Sequence, residues 1–316
     1  MPFATIESAP LRGRSPLQMG PALLRLMRGL RQAREIVQSF RPDVTFVTGG
    51  YVTAPVAVAS RIAGVPLLIY LPDVTPGWAV KWMSRLAQMV AITFQETATY
   101  FGDKAVVTGY PVRPELVRAA GNRQGARDRL GLRSDLPVVL VMGGSHGARS
   151  INRAITQGLD ALLSVCQLIH VTGELDWPWV RELADQLPEA ARARYLVRPY
   201  LHQELGDAMA AADLLVNRAG ASNLGEIPAF GLPAILVPYP HAGRHQYHNA
   251  AYLAERGAAR IIDDQRLEAE LIPAILELLR DEEARQRMRE RARTLASPDA
   301  AHRIAHLALS LAEGSR

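Results

Sequence analysis

Along the 316 residues, short apolar runs rich in β-branched residues alternate with longer stretches of helical period. The runs at 44–48, 66–70, 89–93, 104–108, 137–142, 167–172, 194–198, 214–217 and 234–238 predict strands. Between them, 21–40, 52–63, 148–164, 179–186, 204–212, 246–256 and 268–297 predict helices. Strand, helix, strand at this spacing implies α/β architecture with parallel sheets covered on both faces. The runs near 137 and 234 are almost wholly apolar, as strands buried on both faces must be. The passage around Gly121, Gly125 and Gly131 is the most polar between two apolar runs and reads as a linker. The expected organisation is a first domain at 1–118, a linker at 119–134 and a second domain at 135–297, both Rossmann-like and doubly wound. A final helix, at 298–316, is expected to pack back on the first domain after the break at Ser297 and Pro298.

Composition narrows the class. Hydrophobic residues make up 48% and charged residues 21%, which excludes a disordered chain. The single cysteine, Cys166, excludes an internal disulfide and multi-cysteine metal sites, and fits a reducing cytoplasm. The first residues do not read as a secretory signal, and no uncharged stretch reaches the roughly 20 residues of a membrane-spanning helix. Net charge is +5, and all but Lys81 and Lys104 of the 36 basic residues are arginines. No basic tract interleaved with aromatics accompanies that charge, so nucleic acid is not an expected partner.

Three clusters at predicted strand ends of the second domain carry chemistry. In Gly143-Gly-Ser145-His146-Gly147-Ala-Arg149, glycines let the backbone approach an anion at the start of a helix. The segment lacks both the dinucleotide fingerprint and a Walker lysine, and by itself equally fits an empty tight turn. In Arg218-Ala-Gly-Ala221-Ser222-Asn223-Leu224-Gly225-Glu226, Ser222 can cap a helix and the Glu226 carboxylate can accept two ribose hydroxyls. Pro228 makes that helix short, kinked or displaced. The third cluster, from His241 to Asn249, includes Gln246, whose amide suits sugar hydroxyls or an acetamido group. Its histidines lack the partner residues of a zinc site, so no metal is expected. Open parallel sheets bind ligands at their C-terminal strand ends, so three such clusters together point to a nucleotide-diphosphate site.

In the first half, Thr48-Gly49-Gly50-Tyr51 is either a ligand-facing loop or an ordinary glycine turn. Arg113 is either a cation that reaches a phosphate or a surface residue at the domain junction. In 22–34, Arg25, Arg28, Arg31 and Arg34 interleave with leucines. Such a helix either faces a core with its charged side outward or lies on an anionic membrane.

Together these motifs make the chain resemble the MurG family of cell-wall glycosyltransferases, which have the two-domain GT-B fold. The matches run in order from about residue 3 to residue 310 and include Gly109-Tyr-Pro-Val-Arg113, Thr172-Gly173, Gly231-Leu-Pro233 and Arg244-His-Gln246-Tyr-His-Asn249. The resemblance implies inverting transfer of N-acetylglucosamine from UDP-GlcNAc to an undecaprenyl-diphosphate-linked muramyl pentapeptide. That reaction serves peptidoglycan synthesis, and with it cell shape and division. It implies donor contacts from Ser145 to phosphate, Leu201 backbone to uracil, Glu226 to ribose, 221–225 along the diphosphate, Gln246 to the sugar and Arg113 from the hinge. Gly49, Gly50 and Tyr51 would lie on the acceptor side, and 22–34 would meet the cytoplasmic face of the membrane peripherally.

Two departures qualify the resemblance. Family members begin with a strand and a G-G-x-G-G-H loop, a βαβ unit that would precede this sequence, so the first sheet is expected to expose an unpaired edge. Where the family has an H-E-Q-N segment, this chain reads Tyr70-Leu-Pro-Asp73. Asp73 and His146 are the remaining candidates for the base that an inverting transfer needs. No D-x-D motif lies near the donor clusters, so no cofactor is expected, with a divalent cation at most stimulatory. Two rival readings are a UDP-sugar-binding remnant without turnover and a related GT-B transferase acting on another lipid.

Overall fold

The computed structural model describes residues 3–9, 16–144, 147–240 and 244–314. The chain divides into two compact α/β units, Met1–Tyr110 with Asp299–Arg316, and Pro111–Pro298.

In the first unit β1 (Thr45–Val47), β2 (Leu67–Leu71), β3 (Met89–Ile92) and β4 (Ala105–Val107) form a parallel sheet in sequence order. Leu68 sits opposite Met89, and Val90 opposite Ala105. The core on one face joins Leu67, Ile69 and Ile92 to Val80 and Met83. On the other face, Ile304 of the helix Ala300–Glu313 packs against Leu68, Tyr70 and Ala91. That terminal helix is thus part of the first unit. β1 is an edge strand whose only described strand partner is β2, and its Phe46 is 46% exposed.

The second unit holds β5 (Val138–Met142), β6 (Gln167–Val171), β7 (Tyr195–Arg198), β8 (Leu214–Arg218), β9 (Ala234–Val237) and β10 (Ala259–Ile261), all parallel. Their order is β10-β9-β8-β5-β6-β7. The chain runs outward from β5 through β7, then crosses back to β8 and builds the other half. The reversal falls between β5 and β8, where connections diverge to opposite faces and leave a crevice at the C-terminal strand ends. Every residue of β5, β6, β8 and β9 is buried.

Four expectations are corrected. The segment 119–134 is not a free linker, because Pro114–Ala119 and Arg123–Arg129 are helices docked on the second unit. Two of its arginines, Arg123 and Arg127, serve a buried acid. Asp213 accepts hydrogen bonds from Arg127 Nη2 at 2.7 Å, from Val138 N at 2.9 Å and from Arg123. The single helix expected at 148–164 breaks at Gly158, where a Cβ would lie 2.5 Å from Ile272. The one at 268–297 breaks at Asp281, whose carboxylate accepts from Ala284 N at 2.8 Å and caps the second helix. Finally, Ala259–Ile261 forms a tenth strand, whose exposed Arg260 interrupts the apolar run that would announce it.

Candidate functional site

The crevice at the reversal is a cavity of about 1000 Å³ in the second unit. One wall is the turn from β5 into the helix Arg149–Gln157, with Gly143, Gly147 and Arg149. Gly147 has φ 75°, and a Cβ there would lie 2.1 Å from the Thr172 carbonyl oxygen. A Cβ on Gly143 would lie 2.2 Å from Ala148 N, so packing requires both glycines and turn geometry requires Gly147 as well. The helix that follows presents free N–H groups and a positive dipole end toward the cavity. Ser145 and His146 lie outside the described residues.

Opposite stands the turn from β8 into the helix Asn223–Phe230. Ser222 and Asn223 line the cavity, while Ala221, Leu224, Gly225 and Glu226 do not. Ser222 does not cap the helix. Its dihedrals are already helical and its hydroxyl hydrogen-bonds the Glu226 carboxylate instead. Asn223 is buried and structural, donating through Nδ2 to the Arg218 carbonyl at 2.5 Å and accepting from Asn217 Nδ2 at 3.0 Å. Leu224 is packed into the core. The helix tolerates Pro228 by ending soon after it, at Gly231 with φ 57°.

Glu226 is half-buried. Burial pushes its carboxyl above the ordinary range, against the opposing pull of Arg113 and the Ser222 hydroxyl. Arg113 belongs to this unit, stands just before the helix Pro114–Ala119 and lies 3.8 Å from Glu115. Arg113 and Glu226, far apart in sequence, therefore form one electrostatic neighbourhood. Gln246 lines the cavity, with its Oε1 accepting from Tyr239 N at 2.9 Å, which turns its NH₂ group away from that backbone. Leu201 is buried in the connection between β7 and the helix Leu205–Ala211, outside the cavity lining.

The sequence reading missed two ion pairs in the cavity wall. Arg149 Nε donates to Asp176 Oδ1 at 2.8 Å. Arg218 Nη1 donates to Asp264 Oδ1 at 2.5 Å and its Nη2 to Ser150 Oγ at 2.8 Å, below the Tyr239 ring. Burial would raise the Asp176 carboxyl, but hydrogen bonds from Asn152, Trp179 and Arg149 more than offset it and hold the group below the ordinary range. Arg149 and Arg218 both stand in quoted motifs, yet their acids lie 27 and 46 positions downstream, with no local spacing to mark them. Among the described residues no group of three His, Cys, Asp or Glu could hold a metal ion. His241 lies outside the described residues.

The first unit has a second concavity, an apolar groove of about 450 Å³. Leu26 and Leu30 of the helix Pro16–Phe40 face Gly50, Tyr51, Trp78 and Trp82 there. The segment 22–34 and the Gly49-Gly50-Tyr51 turn, noted separately in the sequence, thus meet. Gly49 and Gly50 both have positive φ, 95° and 85°. Among its described residues the helix buries only a narrow stripe, Ala22, Gly29, Ala33 and Val37. Leu23, Leu24 and Met27 are 54%, 57% and 61% exposed among Arg25, Arg28 and Arg31. A core-facing helix would show the reverse distribution. No described helix is long and apolar enough to cross a membrane. Asp73 follows β2 at the C-terminal end of the first sheet, beside buried Tyr70, whose hydroxyl hydrogen-bonds Thr93 Oγ1 at 3.1 Å.

Comparisons with known proteins agree with this geometry. Residues 138–304 match the glycosyltransferase family 28 C-terminal domain, and 1–92 match the family 28 N-terminal domain. A Roseiflexus sp. (strain RS-1) UDP-N-acetylglucosamine--N-acetylmuramyl-(pentapeptide) pyrophosphoryl-undecaprenol N-acetylglucosamine transferase is 44% identical, over 97% of this chain and 78% of that protein. The enzyme of the same name from Desulforamulus reducens is 39% identical, over 95% and 82%. In fold, the crystal structure of Acinetobacter baumannii MurG is similar with a TM-score of 0.71 at 24% identity, covering 92% of this chain and 79% of that one. The two units are those of the GT-B fold, and the chain belongs to the MurG family of glycosyltransferase family 28.

Proposed function

We propose that this chain transfers N-acetylglucosamine from UDP-GlcNAc to undecaprenyl-diphosphate-linked muramyl pentapeptide, the step that converts lipid I to lipid II in peptidoglycan synthesis. The observation that carries the donor half is the cavity at the β5/β8 reversal, where a helix start and two arginines converge. A departing UDP develops negative charge on its diphosphate. Helix N-termini and fixed arginines stabilise such charge without reorganising. Glu226 holds the ribose hydroxyls, Gln246 the sugar and Leu201 the uracil through its backbone, with Ser145 and 221–225 along the diphosphate. Arg113 supports the Glu226 carboxylate electrostatically, opposing the upward push of burial.

The transfer inverts the anomeric carbon. A base takes the proton of the acceptor hydroxyl, the oxygen bonds to that carbon, and the bond to UDP breaks with its electron pair leaving on the diphosphate. Asp73, at the C-terminal end of the first sheet, is the proposed base. The acceptor is a lipid, and the apolar groove with its exposed leucines and arginines suits a peripheral seat on the cytoplasmic face of an anionic membrane. No cofactor is required in this scheme, in which helix dipole and arginine supply the positive charge.

The test is turnover of UDP-GlcNAc with the lipid-linked acceptor, read as product and released UDP. Product with the lipid-linked acceptor supports the proposal. UDP binding without product would leave a sugar-nucleotide-binding protein, and product only with UDP-galactose and diacylglycerol would replace the acceptor.

A further inference from the structure

Behind Arg149 runs a line of buried side chains that the transfer scheme does not use. Tyr195 in β7, His170 in β6, Asn152 in the helix Arg149–Gln157 and Asp176 are all buried. Tyr195 Oη lies 2.7 Å from His170 Nδ1, and His170 Nε2 lies 3.0 Å from Asn152 Oδ1. Asn152 Nδ2 donates to the Thr172 carbonyl at 2.8 Å and to Asp176 Oδ2 at 2.9 Å. Arg149 donates to the other carboxylate oxygen through Nε and Nη2, both at 2.8 Å.

Elementary donor and acceptor chemistry leaves this line one polarity. A peptide carbonyl and an ionised carboxylate can only accept, so the Asn152 NH₂ must face them and its oxygen must face His170. The imidazole must therefore carry its proton on Nε2, which leaves Nδ1 to accept from the Tyr195 hydroxyl. Burial pushes the His170 pKa down to about 3, so the ring stays in that neutral form throughout the physiological range. Each member fixes the next, and only the last reaches out. The Asp176 side chain is 4% exposed and the Arg149 side chain 59%.

A buried polar line of this length is no better for stability than an apolar core of the same volume, because every member must be desolvated. Its geometry has another consequence. Side-on pairing through Nε and Nη2 turns the Nη1 edge of Arg149 away from Asp176, at the wall of the cavity. It also covers the negative charge of Asp176, another wall residue, which would otherwise repel a diphosphate.

We propose that Tyr195, His170, Asn152 and Asp176 are positioning residues that hold the Arg149 guanidinium in register for the diphosphate of the donor. The inference rests on the donor reading above. It extends the site two strands away from the cavity, to a tyrosine on β7.

Titration calorimetry of the full chain with UDP tests it, using Tyr195→Phe, Asp176→Asn and Arg149→Met alone and in pairs. The expected results are a UDP Kd raised about threefold by Tyr195→Phe, and about tenfold by Asp176→Asn and by Arg149→Met. In the Arg149→Met background, Tyr195→Phe should shift Kd by no more than twofold, and Asp176→Asn should not raise it, because removing the uncovered carboxylate relieves repulsion of the diphosphate. With UDP-GlcNAc and acceptor, Tyr195→Phe and Asp176→Asn should raise KM for the donor, and Arg149→Met should raise KM and lower kcat as well, because the charge on the departing diphosphate develops in the transition state. A purely structural role predicts otherwise: lowered thermal stability with unchanged Kd, or equal Kd shifts with and without Arg149, and either result overturns the proposal. Tyr195→Phe keeps the ring and its packing, so it carries the test if Asp176→Asn does not fold. Absence of UDP binding by the unsubstituted chain would instead overturn the donor reading itself.

Discussion

The two units share a parallel-sheet plan, yet the concavities they build are chemical opposites. In the second unit, the crevice wall is polar and braced by Arg149–Asp176 and Arg218–Asp264, with acids more buried than ordinary surface carboxylates. In the first, the groove is apolar, and leucines, a methionine and tryptophans stand exposed around it. Sheet topology decides where a ligand can sit, and the side chains that return to those strand ends decide what it is. Fixed charge suits a nucleotide diphosphate, because preorganised donors gain from a water-poor crevice. Exposed apolar residues with interleaved arginines suit a lipid surface, where burial in acyl chain is favourable and the arginines meet phosphate.

Substitutions that separate the two concavities sharpen this contrast, and the largest effect falls in the polar one. Arg218→Met leaves Asp264 and Ser150 without their cationic partner in a half-buried position. It should cost about 3 kcal/mol of stability, measured by denaturant unfolding. A cost near zero would mean that the pair is not a structural brace. Glu226→Ala should weaken UDP binding roughly 10- to 100-fold, the worth of about 1.5 to 3 kcal/mol of hydrogen bonding to a charged group, with the membrane behaviour unaltered. Conversely, Leu24→Glu combined with Met27→Glu should lower partitioning onto vesicles of anionic phospholipid about tenfold, as exposed apolar burial is lost and negative charge is added. UDP affinity should stay within twofold, and a parallel loss of both would erase the distinction.

The smallest effect is a pH dependence. In the proposed site the ionised Glu226 holds the ribose, and burial holds its pKa above the ordinary range. As pH falls, the ionised fraction is therefore lost earlier than for a solvent-exposed glutamate, and UDP affinity should drop severalfold before ordinary carboxylates titrate. Glu226→Gln should flatten that profile. An unchanged profile in the variant would assign the dependence to another group.

Much of this contrast was legible in the sequence. Strands announce themselves as apolar runs, so nine of the strands were readable, and Ala259–Ile261 was not because the exposed Arg260 interrupts its run. The glycine turn before Arg149 and the segment from Arg218 to Glu226 were readable because backbone demands leave local marks in glycine spacing. Asp176 and Asp264 were not readable as partners, since an ion pair formed across a sheet has no fixed sequence separation. The same reason concealed the helices at 114–129, whose Arg123 and Arg127 pair with Asp213, 90 and 86 positions downstream. Asn223 carries a second duty that its motif does not show: it lines the cavity, and its amide also holds the Arg218 turn.

Titration calorimetry of the folded chain with UDP addresses the donor pocket most directly. The account predicts a saturable, one-to-one heat that UDP-GlcNAc reproduces and that Glu226→Ala diminishes. A flat titration with UDP and with its sugar conjugates, on protein shown to be folded, would contradict it.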